Sequence, residues 1–174
     1  MKAQNQTNIN EINSLFSSYS SFRAVNYGDS FTPAKNLRIT TNGTKLEITY
    51  ELQPGIVLRK CSITLDIQKC RIDRDMFDAR KLSIYSQAGI DYVENSYEKD
   101  GKKYGSQKKE MLSYWRLETG NATLTDRLIN GFLSIQTATK KQKIAPTPIH
   151  PLDNAEIDLI TVSFTEPNSC LLYT

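Results

Sequence analysis

Two segments of the chain place apolar residues three or four positions apart, which is the spacing of one face of a helix. The first segment runs from Asn8 to Arg23. Its apolar residues are Ile9, Ile12, Leu15, Phe16, Tyr19 and Phe22. Asn8 and Glu11 have the spacing of a capping box, so we predict that the helix begins at Asn8. Gly28 and Pro33 then end the pattern, because both residues disfavour a continuing helix.

The second helical segment lies towards the end of the chain. Its apolar residues are Leu124, Leu128, Phe132 and Ile135. Thr123 followed by Asp126 matches a helix-capping pattern, and the lysines that end the segment complement the helix dipole. We therefore predict a helix over residues 123–141, in which Gly131 marks a close packing contact.

Between these helices, apolar and polar residues alternate, which predicts strands with one buried and one wet face. That pattern favours an antiparallel sheet, here over residues 37–117. Its clearest local signal is Asn42-Gly43, which separates two alternating runs and predicts a hairpin with a type I′ turn. A long strand follows from Val57 to Ile67.

The second half of the predicted sheet is more irregular. Residues 71–80 are a charged connection, and short strands follow at Lys81–Ser86 and Ile90–Val93. The predicted partner of the second of these strands is Met111–Leu117, and the charged residues 98–103 form an exposed hairpin tip.

These elements predict one α+β domain over residues 1–174, with a mainly antiparallel sheet or partly open barrel between two amphipathic helices. Residues 1–7 are predicted to be disordered, and 8–36 to be helix and loop. A proline-rich linker over 144–156 leads to an extra final strand at 157–164. Because two one-sided helices need one shared core, we expect both to pack on the same hydrophobic cluster.

Composition excludes little. The net charge of +3 is too small to indicate a nucleic-acid-binding protein by itself. Cys61 and Cys70 lie about 30 Å apart if the strand between them is continuous, so we predict a buried Cys61 thiol and no bridge between the two.

The chain contains no long apolar run, and its first residues lack the apolar region of a signal peptide, so a cytoplasmic protein is predicted. An exported protein with its signal peptide removed is the alternative.

Candidate catalytic and metal-binding groups are sparse. The single histidine, His150, lies between an isoleucine and a proline in the predicted linker. An acidic cluster comprises Asp73, Asp75 and Asp78, but interleaved arginines would neutralise it as a cation site. The strand carboxylates are Glu47, Glu51, Asp66 and Asp91. Glu47 and Glu51 are predicted to face water, so we predict no catalytic residue, metal or cofactor.

One cluster combines basic residues with aromatic ones. Its candidate binding residues are Tyr97, Lys99, Lys102, Lys103, Tyr104, Lys108 and Lys109. Such a mixture binds anionic polymers or anionic membrane surfaces, although lysines at a hairpin tip also simply keep an edge soluble. We expect the lysines to project together from a weakly paired tip.

Hairpins from Leu37 to Leu117, followed by one capped helix, resemble the order of elements in pleckstrin-homology-like domains. That resemblance implies a non-enzymatic domain that binds a protein, a peptide or an anionic headgroup. We therefore expect a non-catalytic interaction domain with a protein or peptide partner. The alternatives are an anionic-ligand or nucleic-acid binder that uses the Lys99–Lys109 hairpin, and a small hydrolase-type enzyme with scattered carboxylates.

Overall fold

A computed structural model describes residues 2–26, 30–53, 57–97 and 103–144, without the side chains of 2–4, 26, 30, 103–106 and 141–144. The elements are α1 (Lys2–Ser18), β1 (Arg23–Asn26), β2 (Ser30–Asn42), β3 (Lys45–Leu52), β4 (Leu58–Asp66), a 3₁₀ turn (Ile67–Lys69), β5 (Cys70–Arg74), β6 (Lys81–Tyr97), β7 (Lys103–Glu118) and α2 (Ala122–Ile144). The predicted α+β class, with a helix at each end of an antiparallel sheet, is confirmed. Apart from Ile144, the predicted linker and final strand lie outside the described residues, as does His150.

Six antiparallel strands close into a barrel in the order β4-β3-β2-β1-β7-β6, because β6 also pairs with β4. The additional strand, β5, pairs with the first part of β6. The two short strands predicted at 81–86 and 90–93 are therefore one strand, which changes partner from β5 to β4 along its length. At the change, its register with β7 shifts between Tyr85 and Ile90, and Gly89 takes a φ of 85°. Residues 71–74 of the predicted connection 71–80 likewise belong to strand β5.

The predicted hairpin at Asn42-Gly43 is confirmed, but its turn lies one residue later than predicted. Asn42 pairs with Lys45, so the loop residues are Gly43 and Thr44. Only Gly43 of the two has a positive φ, 63°, which is the pattern of a type II′ turn rather than type I′.

The predicted beginning and end of the first helix were wrong. The helix begins at Lys2, so Asn8 lies inside it and residues 2–7 are not disordered. Asn5 is buried one turn before Ile9, so the buried face of the helix extends beyond the predicted start. The helix ends at Ser18, which leaves Tyr19 exposed and Phe22 buried outside the helix.

Residues 23–26 form β1 and residues 30–36 form the first half of β2, where the sequence predicted a loop. Pro33 lies within β2 opposite Arg23, and it is the next residue, Ala34, whose amide donates to the carbonyl of Phe22 at 2.9 Å. A proline has no amide hydrogen to donate, so it is compatible with a strand position at which the adjacent residue makes the hydrogen bond.

The cap of the second helix also differs from prediction. The Asn121 side chain accepts the Leu124 amide at 2.8 Å, so Asn121 is the cap and Thr123 lies inside the first turn. Asparagine is among the best residues at this position.

Both helices pack on one core, as predicted. Ile12, Leu15, Phe16, Phe22, Leu128 and Phe132 are all buried in one cluster with the barrel side chains. Two side-chain amides join the helices to the sheet. Asn13 of α1 exchanges two hydrogen bonds with the backbone of Ile39 in β2, and Gln136 of α2 donates to the carbonyls of Ile67 and Cys70 at 2.8 and 2.9 Å.

Within the described ranges, neither helix is long and apolar enough to cross a bilayer.

Candidate functional site

The connection between β5 and β6, residues 75–80, exposes two large apolar side chains. Met76 is 86% exposed and Phe77 91% exposed, more than the other large hydrophobic residues that the structure describes as exposed. We call residues 75–80 the Met76–Phe77 loop. An exposed apolar pair has a hydration cost in the isolated protein, so we take these two side chains as the candidate contact surface.

The loop is folded by its own first residue. The carboxylate of Asp75 accepts the amides of Phe77 and Asp78, at 2.9 and 3.2 Å. The Asp75 amide donates to the carbonyl of Lys81, and the Lys81 amide donates to the carbonyl of Asp78, both at 2.9 Å. An aspartate that binds the amides following it stabilises a tight turn, so the backbone below Met76 and Phe77 is held by four hydrogen bonds.

Asp78 closes the other side of the loop. Its carboxylate accepts hydrogen bonds from the Arg80 amide, Nε and Nη2, each at 3.0 Å, and Lys81 Nζ lies 3.3 Å away. The Arg80 side chain, the Arg80 amide and Lys81 together hold the pKa of Asp78 well below its usual range. The hydrogen bonds and charge of the Asp78 carboxylate in turn raise the pKa of Arg80.

The loop is also fixed to the rest of the domain. Thr119, buried after β7, donates its amide and its hydroxyl to the carbonyl of Arg80, at 2.9 and 3.2 Å. Arg74, just before the loop, forms an ion pair with Asp126 of α2. The loop therefore presents Met76 and Phe77 on a preformed backbone, and a partner that covers them does not have to order that backbone first.

The sequence reasoning missed this site because the charged residues around the pair dominate the pattern. The acidic cluster Asp73, Asp75 and Asp78 serves the backbone and the arginines, and Asp73 lies 2.6 Å from Arg71 Nε. Among the described residues, no three acidic, histidine or cysteine side chains are grouped as a metal site. The sequence did contain one signal of this site. Met76 and Phe77 are adjacent large apolar residues in a short connection, and two such side chains cannot both turn inward.

The predicted basic cluster is only partly described. Lys99 and Lys102 lie outside the described residues, as do the side chains of Lys103 and Tyr104. The Tyr97 ring lies 5.3 Å below Lys60 Nζ at the end of β6.

Lys108 and Lys109 do not project together, because neighbours on a strand point to opposite faces. They pair with Glu94 and Val93, and Lys108 Nζ lies 3.0 Å from Glu110, so this part of the hairpin is not weakly paired as predicted. The binding role of the cluster stays a prediction.

A chain of polar groups lies inside the barrel. Tyr92 donates to Glu94 at 2.5 Å, and the Cys61 thiol lies 3.5 Å from the Tyr92 hydroxyl. Arg59 Nη1 lies 3.5 Å from the Glu94 carboxylate. Burial raises the pKa of Cys61 to about 11, so its thiol is a poor nucleophile at neutral pH. Trp115 donates to the buried Tyr50 hydroxyl at 3.3 Å, and burial also raises the pKa of Tyr50.

The other candidate carboxylates lie apart from this group of polar side chains inside the barrel. Glu47 accepts a hydrogen bond from Thr40, and Glu51 accepts one from Asn36. Asp91 is exposed on β6. As predicted, Cys61 is a buried free thiol that forms no bridge with Cys70, and Cys70 is also buried.

No family model, no curated protein and no solved structure matches this chain. The resemblance to pleckstrin-homology-like domains therefore stays a prediction.

Proposed function

We propose that this chain is a non-catalytic protein-interaction domain that binds its partner through the Met76–Phe77 loop. The observation that carries the proposal is the near-complete exposure of both side chains on a hydrogen-bonded loop. Methionine and phenylalanine are enriched in protein interfaces, and a preformed loop lowers the entropic cost of binding.

The surroundings of the pair support a protein rather than a membrane as the partner. The cations Arg74, Arg80 and Lys81 are balanced by the carboxylates Asp75, Asp78 and Asp126. An anionic membrane surface attracts segments with excess lysine and arginine, and this rim has no such excess. A polar rim around an apolar centre is the usual anatomy of a protein interface.

The expected energies follow from the exposed side chains. Burying a phenylalanine or methionine side chain contributes about 1.5–3 kcal/mol. Removing either should weaken binding by about 10- to 100-fold. Because both side chains contact solvent in the free domain, their replacement should change the free energy of unfolding by less than about 0.5 kcal/mol.

The test identifies the partner and then measures it. A photo-reactive phenylalanine analogue at position 77 in the native host should cross-link one protein, whereas the same analogue at Met111 should not. Met111 is the matched control, since it is a methionine 65% exposed on β7.

Isothermal titration of the purified partner should then show the predicted loss for Phe77→Ser and unchanged binding for Met111→Ser. Equal affinity of Phe77→Ser and wild type for that partner would overturn the proposal. Binding to anionic vesicles that Phe77→Ser abolishes would also overturn it, in favour of membrane insertion.

A further inference from the structure

The sulfur-containing side chains of the described residues divide into buried thiols and exposed thioethers. Cys61 and Cys70 are buried. Burial raises the pKa of both thiols, that of Cys61 to about 11, so neither offers a thiolate at neutral pH. Met76 and Met111 are both exposed. Within this part of the chain, an oxidant in solution therefore meets thioethers before it meets thiols.

The two methionines differ in what surrounds the sulfur. Met111 Sδ lies over Gly89, at the place where a side chain at position 89 would begin. The sulfur of Met111 is therefore packed against the backbone of β6, although much of the side chain is exposed. Met76 is 86% exposed in the Met76–Phe77 loop, so solvent reaches most of its side chain. We expect an oxidant to react with Met76 first, because susceptibility follows exposure.

The backbone of the loop does not depend on the Met76 side chain. The Asp75 carboxylate accepts the amides of Phe77 and Asp78, and the Asp78 carboxylate accepts the amide and side chain of Arg80. An oxygen atom added to the Met76 sulfur leaves all of these hydrogen bonds in place. Oxidation should therefore change the surface that the loop presents while the fold is kept.

We propose that oxidation of Met76 to its sulfoxide releases the partner from the Met76–Phe77 loop, which makes the loop a redox-sensitive switch. This inference rests on the proposed function, and it adds the regulation of the same site. The oxidant is a peroxide. Its O–O bond breaks and an S–O bond forms, so the sulfur is oxidised and hydrogen peroxide is reduced to water. A methionine sulfoxide reductase reverses the step, as a pair of thiols is oxidised to a disulfide and the oxygen leaves as water.

The effect on binding follows from the polarity of the sulfoxide. A thioether is apolar and suits the centre of an interface, whereas a sulfoxide is polar and is hydrated in the free domain. Burying it against an apolar partner surface without a hydrogen bond should weaken binding by about tenfold or more.

The first test measures oxidation of the purified chain by dilute hydrogen peroxide. Mass spectrometry of proteolytic peptides follows the sulfoxide at each methionine with time. Met76 should be oxidised at least about threefold faster than Met111, and circular dichroism should not change. In urea, where the Met111 sulfur is no longer packed on Gly89, the two rates should be equal. Equal rates in the native chain would overturn the inference.

The second test uses the chain that carries the photo-reactive phenylalanine analogue at position 77. This chain is oxidised, freed of peroxide and mixed with an untreated lysate of the native host, so that the partner itself is not oxidised. The yield of cross-linked partner should fall by about tenfold relative to the unoxidised chain. Treatment with a methionine sulfoxide reductase should restore the yield.

Two variants show whether Met76 is the residue responsible. Met76→Leu has no sulfur at this position, so its yield should be the same before and after peroxide treatment. Met111→Leu should lose yield as wild type does. Equal losses in Met76→Leu and wild type, or an unchanged yield when Met76 is fully oxidised, would overturn this inference and leave the proposed function intact. Absence of a cross-linked partner before oxidation would instead refute the proposed function, and this inference with it.

Discussion

The Asn13 side chain pairs with the backbone of β2 at a position that none of the strands described in the structure covers. Its amide donates to the Ile39 carbonyl at 3.0 Å and its oxygen accepts the Ile39 amide at 2.8 Å. Among the described residues, β1 pairs with β2 at residues 30–33 only, so no described strand covers the later part of β2 on this side. Asn13 occupies that edge as a paired strand would, which protects it from pairing with another chain.

We predict that Asn13→Ala destabilises the fold by about 2–3 kcal/mol. Leaving a backbone donor and acceptor unsatisfied costs about 1–3 kcal/mol each when buried, and this site is only partly buried. The control is Asn10→Ala on the same helix, where the exposed side chain only accepts from Gln6 and the loss should stay below about 0.5 kcal/mol.

Asn13→Asp separates hydrogen bonding from packing. At neutral pH a carboxylate can accept the Ile39 amide but repels the Ile39 carbonyl, so this variant should be at least as unstable as Asn13→Ala. A protonated carboxyl can make both hydrogen bonds, so its folded pKa should lie above the unfolded value of about 3.9. The stabilisation is therefore complete below the unfolded pKa and is lost as pH rises through the folded pKa.

The assay is urea unfolding followed by the fluorescence of Trp115, the single tryptophan, at pH 7 and near pH 4. The free energy of unfolding of Asn13→Asp should exceed that of Asn13→Ala at low pH only. Hydrogen exchange of the Ile39 amide should be faster in Asn13→Ala than in wild type. The reasoning fails if Asn13→Ala and Asn10→Ala are equally stable, or if the low-pH difference is absent.

Three further predictions concern other buried contacts. Gly131→Ala should destabilise by about 1–3 kcal/mol although alanine is the better helix former, because its Cβ would lie 2.8 Å from Ile12 Cγ1 and 3.0 Å from Ile12 Cδ1. In an Ile12→Ala background, which lacks both atoms, the same substitution should cost less in urea unfolding, and an equal cost would contradict this explanation. Cys61 should resist iodoacetamide at pH 8 in the native state, because burial raises its pKa to about 11. The stability that this neutral thiol contributes is therefore complete below the unfolded pKa and should decline as pH rises towards 11. A Cys61→Ala variant whose stability declines equally with pH would contradict this. Arg59→Met and Glu94→Gln should show a coupling energy of about 1–2 kcal/mol in a double-mutant cycle, discounted because Arg59 is partly exposed, and additive losses would show that the pair is not coupled.

The sequence pattern predicted the features that repeat along the chain. It did not predict the strand breaks and helix ends that depend on a single contact. The alternation of Leu46, Ile48 and Tyr50 and the spacing of Leu128 and Phe132 predicted the strand and helix that these residues form. The division of β6 into two strands was wrong, because the register shift at Gly89 breaks the alternation without ending the strand. The predicted helix caps were misplaced because the apolar pattern cannot show which of several nearby polar side chains reaches the free amides.

The candidate site could not be predicted from periodicity because its function depends on residues that do not join the core. Met76 and Phe77 look like ordinary apolar positions until the hydrogen bonds of Asp75 and Asp78 show that the loop holds them outward. Those hydrogen bonds are made by the backbone and the charged side chains, and they do not involve Met76 or Phe77 side chains. Stability and the exposed pair are therefore separable in this domain. Substitution of Met76 or Phe77 should affect binding without unfolding, whereas Asp75→Ala should loosen the loop and weaken binding while both apolar side chains are still present.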